Sequence, residues 1–313
     1  MLQAVTALAT APAIDSSLVE RWIKDAQVKP SSVKAYEKGI KRLAEYFAST
    51  GISAPTREVM IQYREYLGVK YKSPSTRNLY LTAAKLFLAF LHREGYLPAN
   101  PAEHIKGFKA GEGHKKSALP TGDVKTIAAH FDTATLKGKR DKALFALMSV
   151  CGLRCIEVHR ANISDFEPVG SVIRLRVQGK GRDDKTEAVN VPAGVYQLIR
   201  EYLDARGEVA ADNDGVPIFT SLSRNSLGAR ITVGSISRII KTALRKSGYD
   251  SPRLTAHSLR HTAATVALKS GATLREVQQN LRHKNIAVTQ VYLHELDELE
   301  NSATSRTAAA LGF

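Results

Sequence analysis

HSLRH, residues 257–261, combines two imidazoles and a guanidinium in five positions. At 3.6 residues per helical turn, His257, Arg260 and His261 fall on roughly one face, which then presents three groups able to donate hydrogen bonds to an anion. The surrounding sequence supports a helix there. Helical patterns flank it in VGSISRIIKTALRKSG (233–248), TLREVQQNLRH (273–283) and NIAVTQVYLHELDELE (285–300). The pair of histidines at i and i+4 also raises zinc, but SLR between them lacks the glutamate of an HExxH motif, and a guanidinium beside a cation would repel it.

The bulk composition agrees with an anionic partner. The chain has 313 residues, 45 lysines and arginines against 30 acids, a net charge of +15 and a pI near 9.8. Nucleic acid is the leading partner on those numbers, and a basic enzyme whose charge only keeps it soluble is the plainer alternative. The length suggests two domains. No apolar run is long enough for a bilayer, and MLQAVTALATAPA lacks the basic start of a secretory signal, so a cytoplasmic, nucleoid-associated protein without membrane contact is expected. Cys151 and Cys155 offer neither a disulfide framework nor a four-ligand zinc site, and read as small buried thiols.

Upstream, SSVKAYEKGIKRLAEYFAST (31–50) spaces Val33, Tyr36, Ile40, Leu43 and Phe47 by threes and fours, an apolar helix stripe. SLVE (17–20) fits a capping box opening a shorter helix, and TREVMIQYREYLG supplies a third. A fourth runs from Ser73 as cap and Pro74 in the first turn to a stop at Gly95. Four helices in about 90 residues make a compact helical domain. Residues 1–110 carry a net +7 and the remainder +8, as a protein gripping a duplex from two sides would require. GFKAGEGHKKSA (107–118) has the composition of a flexible basic linker. The domain ranges expected are therefore 14–106, a linker at 107–118, and 119–313.

The second region opens with the helical stretches LPTGDVKTIAAHF and KRDKALFALMSV, then breaks at CGLR before a helical turn, CIEVHR. SVIRLRVQ, GKGRDD and KTEAVNVP alternate like two strands joined by a hairpin. The fold class is mainly α with one small antiparallel β-sheet.

GLRCIE (152–157), GKG (179–181), HSLRHT (257–262), LRH (281–283) and Tyr292 in VYLH resemble, in order and spacing, the signature of the tyrosine recombinases, or phage-type integrases. The resemblance is close over residues 140–294 and looser over the amino-terminal helices. It implies a four-helix SAM-like core-binding domain, a helical catalytic domain, and cleavage of a DNA phosphodiester by a tyrosine oxygen that leaves a 3′-phosphotyrosyl bond and a free 5′-hydroxyl.

By the same resemblance Tyr292 is the nucleophile, a phenol that needs a base and nearby positive charge to react at neutral pH. Arg154 and Arg260 match the two arginines that grip the non-bridging oxygens, where a planar fork suits better than an ammonium. Lys180 in the hairpin matches the acid that protonates the departing 5′-oxygen, with Arg182 and Lys185 as neighbouring phosphate contacts. His257 is placed for proton transfer or phosphate contact, and His283 for a hydrogen bond to phosphate. Glu157 reads as a support that orients these groups, and His261 as packing. Relatives usually carry glycine where this chain has Arg282, which suggests an extra phosphate contact. Ser75, Arg77 and Lys85 on the fourth helix are expected DNA contacts.

The resemblance calls for no cofactor, neither ATP nor a divalent ion. It implies double-stranded DNA with an inverted-repeat core site as partner, a homotetramer on two such sites, strand exchange through a Holliday junction, and room for accessory proteins. The short segment before the first helix suggests a simple Xer-like member, acting in chromosome or plasmid resolution or in integration and excision of a mobile element. ELDELENSATSRTAAALGF could dock on a neighbouring protomer. The alternatives are a type IB topoisomerase, which shares a similar residue set, and a DNA-binding protein that has lost catalysis.

Overall fold

The computed structural model describes residues 14–52, 54–109, 118–179, 182, 184–207, 215–290, 292, 307–308 and 310–312. The chain divides into two compact units, Met1–Gly113 and His114–Phe313. Among the described residues no helix is long and apolar enough to cross a membrane.

The first unit contains α1 (Ser16–Asp25), α2 (Pro30–Thr50), α3 (Arg57–Lys70) and α4 (Pro74–Arg93). The start of α1 corrects the expected capping box at 17–20. Asp15 is the cap, and its carboxylate accepts from the Leu18 backbone N–H and the Ser17 hydroxyl, both at 2.8 Å. An ionised acceptor suits the positive end of a helix better than a serine does. Ile40, Leu43 and Phe47 of the expected stripe are buried, together with Tyr46, while Val33 and Tyr36 are half-buried. The stripe packs on α4, and Gly39 makes the close approach feasible: a Cβ there would stand 2.6 Å from the Ala83 Cβ. Trp22 is fully buried, edge-on to Phe87 with ring centroids 5.5 Å apart.

The segment 105–108 is laid along this unit by polar side chains. Asn78 grips Phe108 at both its N–H and its carbonyl, at 2.8 and 2.9 Å. Arg64 donates to the Lys106 carbonyl at 2.8 Å, and the guanidinium carbons of Arg64 and Arg77 lie 4.7 and 5.4 Å from the Phe108 ring centroid. The expected flexible linker thus starts with residues that are held in place at 107 and 108, while 110–117 lie outside the described residues.

The second unit comprises α5 (Thr121–Ala129), α6 (Leu136–Cys151), α7 (Cys155–Arg160), β1 (Phe166–Val169), β2 (Val172–Val177), β3 (Glu187–Val191), α8 (Ala193–Arg206), α9 (Val233–Lys246), α10 (Ala256–Lys269) and α11 (Leu274–Leu281). Helix α6 is the central element, packed against α8 and α10 and buried over most of its circumference, with Lys137 and Val150 exposed. Leu144, Leu147, Leu153, Ile199, Tyr202 and Leu259 have no exposed surface. Each such aliphatic side chain stabilises the fold by about 1.5–3 kcal/mol relative to exposure.

The sheet is antiparallel in the order β1-β2-β3, with Phe166 opposite Leu175 and Leu175 opposite Val189. Sequence periodicity missed β1, which is four residues long and contains Pro168. Proline is tolerated there because β1 is an edge strand.

Candidate active site

The break after α6 is the foundation of the site. Gly152 ends the helix at φ +63, and a Cβ at this position would stand 2.5 Å from a methyl of Leu281. Only glycine meets both demands. The turn delivers Arg154 to the cap of α7, where the Glu157 carboxylate reaches back. One oxygen accepts from the Arg154 backbone N–H at 2.8 Å, and the other from the Arg154 guanidinium at 2.8 Å. Glu157 therefore fixes both ends of the arginine, as a supporting role would require.

Glu157 has no exposed surface and carries a second guanidinium, Arg282, at 2.8 Å. Burial alone raises its pKa; Arg282, the Arg154 N–H and the Arg154 and Arg260 charges outweigh that and leave it below the usual carboxylate value. Arg282 was expected as an outward phosphate contact. Instead its side chain is 4% exposed and turned onto Glu157. Its backbone is left-handed, φ 54 and ψ 47, a conformation that costs a residue with a Cβ about 1–2 kcal/mol.

Helix α10 brings HSLRH to the same place. The Thr255 backbone N–H donates to the Ser258 hydroxyl at 3.0 Å, and the Thr262 hydroxyl accepts from the Leu119 N–H at 2.8 Å, which ties the helix to the start of the unit. Arg260 is 1% exposed and donates to the carbonyls of Gly152 and Leu281, stitching the α6 break to the end of α11. Its Nε–H has no acceptor among the described residues. Burial, and then the neighbouring Arg154, lowers its pKa to about 9, and it remains a cation at neutral pH.

Four rings form a file through the site. His257, exposed, stands edge-on to buried His261 at 5.0 Å; His261 stands edge-on to Tyr292 at 5.1 Å; and Tyr292 stacks on His283 at 6.3 Å and 20°. Tyr292 is 2% exposed and packs with Ala264, Val277 and Leu281. Its charge is near enough to influence Arg260. His283 shares a 2.9 Å hydrogen bond with the Thr289 hydroxyl through Nδ1. Burial, and then the Arg260, Arg154 and Arg282 charges, pushes its pKa down to about 4, so it is neutral at pH 7.

The structure thus gathers Arg154, Glu157, Arg260, His283 and Tyr292, with His257 at the outer end of the ring file. Lys180 lies outside the described residues, but the stem of its hairpin is held firmly. Arg160 donates to the Gly179 carbonyl at 3.0 Å, and Gln178 to the Arg182 carbonyl at 2.9 Å. Arg182 pairs with Glu187 at 2.8 Å, and Lys185 pairs with buried Asp165. A groove of about 550 Å³ between β3 and α11 has Arg182, Glu187, Arg275, Arg282, His283 and Lys284 among its lining residues.

On α4, Ser75 is exposed, whereas Lys85 donates to the Ile105 carbonyl at 2.8 Å and Arg77 to the Tyr71 carbonyl. Among the described residues no group of three or more His, Cys, Asp or Glu side chains is placed to hold a metal ion. The thiols of Cys151 and Cys155 are shielded, and burial pushes them up to about 12 and about 11.

Sequence reasoning missed the inward turn of Arg282 and the Arg160 tie. Arg282 did carry a signal, an arginine where glycine is usual; Arg160 carried none, because its partner is a backbone carbonyl.

The phage integrase family model matches residues 118–298, more than half the chain. The chain belongs to the phage integrase family. It is a tyrosine recombinase, an enzyme of site-specific DNA recombination, and residues 18–95 match the SAM-like amino-terminal domain model of phage integrases. The recombinase is 32% identical over 285 residues to tyrosine recombinase XerC of Pelobacter propionicus, covering 88% of each chain. It is 26% identical over 295 residues to tyrosine recombinase slr0733 of Synechocystis, covering 89% of this chain and 90% of the relative. In fold the recombinase is similar to XerH site-specific recombinase in a post-cleavage complex with a palindromic difH substrate, with TM-score 0.72, 20% identity, and coverage of 94% of this chain and 84% of that one. Lambda integrase (75–356) bound to a COC′ core site gives TM-score 0.65 at 19% identity, covering 87% and 96%. The topoisomerase alternative is not favoured by these likenesses.

Proposed function

We propose that the recombinase cuts and rejoins duplex DNA by way of a 3′-phosphotyrosyl bond at Tyr292. The Tyr292 oxygen attacks phosphorus, the bond to the 5′-oxygen breaks, and the 5′-hydroxyl leaves with a proton from Lys180. In the five-coordinate transition state, negative charge grows on the non-bridging oxygens, where Arg154 and Arg260 hold their forks. His283, neutral and bonded through Nδ1 to Thr289, directs Nε2 to a phosphate oxygen. His257 accepts the phenol proton or contacts the phosphate, and Glu157 and His261 support the set. The free 5′-hydroxyl of a partner strand then attacks the phosphotyrosine in reverse. Bond energy is conserved throughout, so neither ATP nor a metal is called for.

The observation that carries this reading is the placement of Tyr292, buried between His261 and His283 within electrostatic reach of buried Arg260. An idle core tyrosine has no need of such neighbours.

In this reading residues 14–106 are the core-binding domain and 119–313 the catalytic domain with its tail, joined by 107–118. The partner is double-stranded DNA with an inverted-repeat core, in keeping with the palindromic substrate of XerH. Four protomers on two sites exchange strands through a Holliday junction in the cytoplasm, at the nucleoid, with accessory proteins where the element requires them. Ser75, Arg77, Lys85 and Arg182 contact DNA; the last three do so with donors beyond those engaged within the protein. The test is incubation with nicked duplexes carrying inverted repeats from the DNA flanking the gene. A protease-sensitive adduct formed by the wild type and lost in Tyr292→Phe supports the reading. An adduct that survives in Tyr292→Phe overturns it.

A further inference from the structure

We infer that Arg282 is a positioning residue for the reaction: it holds the Glu157 oxygen that also accepts the Arg154 backbone N–H, and through that carboxylate it steadies the Arg154 fork. The inference rests on the assignment of Arg154 and Tyr292 above.

The geometry is specific. Oε2 of Glu157 accepts from Arg282 Nη2 at 2.8 Å and from the Arg154 backbone N–H at 2.8 Å, while Oε1 accepts from Arg154 Nη1 at 2.8 Å. Arg282 Nη1 donates to the Asn280 carbonyl, which anchors its own fork to the end of α11. Arg154 engages both oxygens from the start of α7, and Arg282 adds an anchor from a second element, the end of α11, which narrows the motion left to the carboxylate and to the Arg154 guanidinium bonded to it.

The charges point the same way. A lone Glu157 beside Arg154 makes a neutral pair, which weakens the attraction of Arg154 for a phosphate. With Arg282 the cluster regains a net positive charge before Arg260 is counted. The groups facing Glu157 are Arg154 from α7, Arg260 from α10 and Arg282 from the end of α11. The turn at 282 also sets the next residue: the Arg282 N–H donates to the Gln279 carbonyl and the His283 N–H to the Gln278 carbonyl, at 3.0 and 3.1 Å. The Arg282 side chain, 4% exposed, is committed at both of its terminal nitrogens, to Glu157 and to the Asn280 carbonyl.

The test compares wild type, Arg282→Gly, Arg282→Lys and Tyr292→Phe on a nicked duplex carrying the inverted repeat from the flanking DNA. Affinity, the saturating rate of adduct formation and its pH profile are read separately. Glycine accepts the left-handed turn and removes the guanidinium. Its saturating rate is expected to fall about tenfold to a hundredfold with unchanged affinity, and the acid limb of its profile to move to higher pH, because Glu157 has lost a cation that favours its charged form. Arg282→Lys keeps the charge without the fork and should fall in between; it carries the test if the glycine variant does not fold. A wild-type saturating rate in either variant overturns the inference, as does weaker binding with an unchanged saturating rate, which would mark a phosphate contact. An adduct that persists in Tyr292→Phe, or none with the wild type, sinks the assignment of the site and the inference with it.

Discussion

Arg260 of α10 donates to the carbonyl of Gly152, 108 residues earlier in the chain, and to that of Leu281, 21 residues later. This guanidinium is a structural staple, and in the proposed reaction it is also a phosphate ligand. Arg260→Lys should fail in both roles, since an ammonium cannot span two carbonyls and still present a fork. The expected outcome is a loss of about 1–3 kcal/mol of stability from the unsatisfied carbonyls, and a fall of about a hundredfold or more in adduct formation. Urea denaturation and the nicked-duplex assay check the two separately; a lysine variant with full activity contradicts the assignment.

Gly152→Ala tests the turn that delivers Arg154. The left-handed backbone costs about 1–2 kcal/mol and the overlap with Leu281 about 1–3 kcal/mol more. Gly207→Ala is the comparison: its φ is +83, and nothing lies within 4 Å of the added methyl. It should lose only the backbone part. Equal losses for the two variants in chemical denaturation would show that Leu281 gives way.

Stability should decline as the pH falls from about 6.5 toward about 4. His283 titrates near 4 in the folded protein against 6.5 in an unfolded chain. Between those values the unfolded state binds the extra proton, so stability rises with pH across the window and the loss is complete below it. Glu157 adds a second step in the same direction. Its folded pKa is lowered, so its contribution is present above about 4.5 and disappears as the pH falls through the folded value. His283→Gln should flatten the upper part of the decline in thermal melts followed by circular dichroism. An unchanged slope counts against the shifted histidine.

Lys180 and Lys185 separate by chemistry. If Lys180 protonates the leaving oxygen, Lys180→Ala should be rescued by DNA whose 5′-bridging oxygen is replaced by sulfur, because a thiolate leaves without a proton. Lys185→Ala should gain nothing from that substrate. Its amine is paired with buried Asp165, and its removal leaves that carboxylate with the Asn162 N–H and the more distant Arg176, which loosens the hairpin stem. Rescue of Lys185→Ala alone would exchange the two roles.

Much of this fold was legible from periodicity. Ile40, Leu43 and Phe47 are buried as their spacing demands, and the helix from Pro74 to Arg93 starts and stops at its proline and glycine signals. β1 was not legible, because four residues with a proline give no alternation to read. Arg154, Glu157, Arg260, His283 and Tyr292 could be found by motif because their order along the chain is regular, and the structure brings them together. The intramolecular bonds of Arg77 and Lys85 were not legible. Each residue holds a main-chain carbonyl through tertiary contact, and carbonyls leave no mark in a sequence.

The seating of Tyr292 among Ala264, Val277 and Leu281 of its own chain has a consequence for mixtures of subunits. In the proposed reaction each copy would then attack with its own phenol, and a healthy neighbour would have none to lend to a defective one. If the proposed tetramer forms, co-expressed Tyr292→Phe subunits should poison assemblies with the wild type rather than be complemented by it, a dominant-negative behaviour that follows from the packing of a single ring.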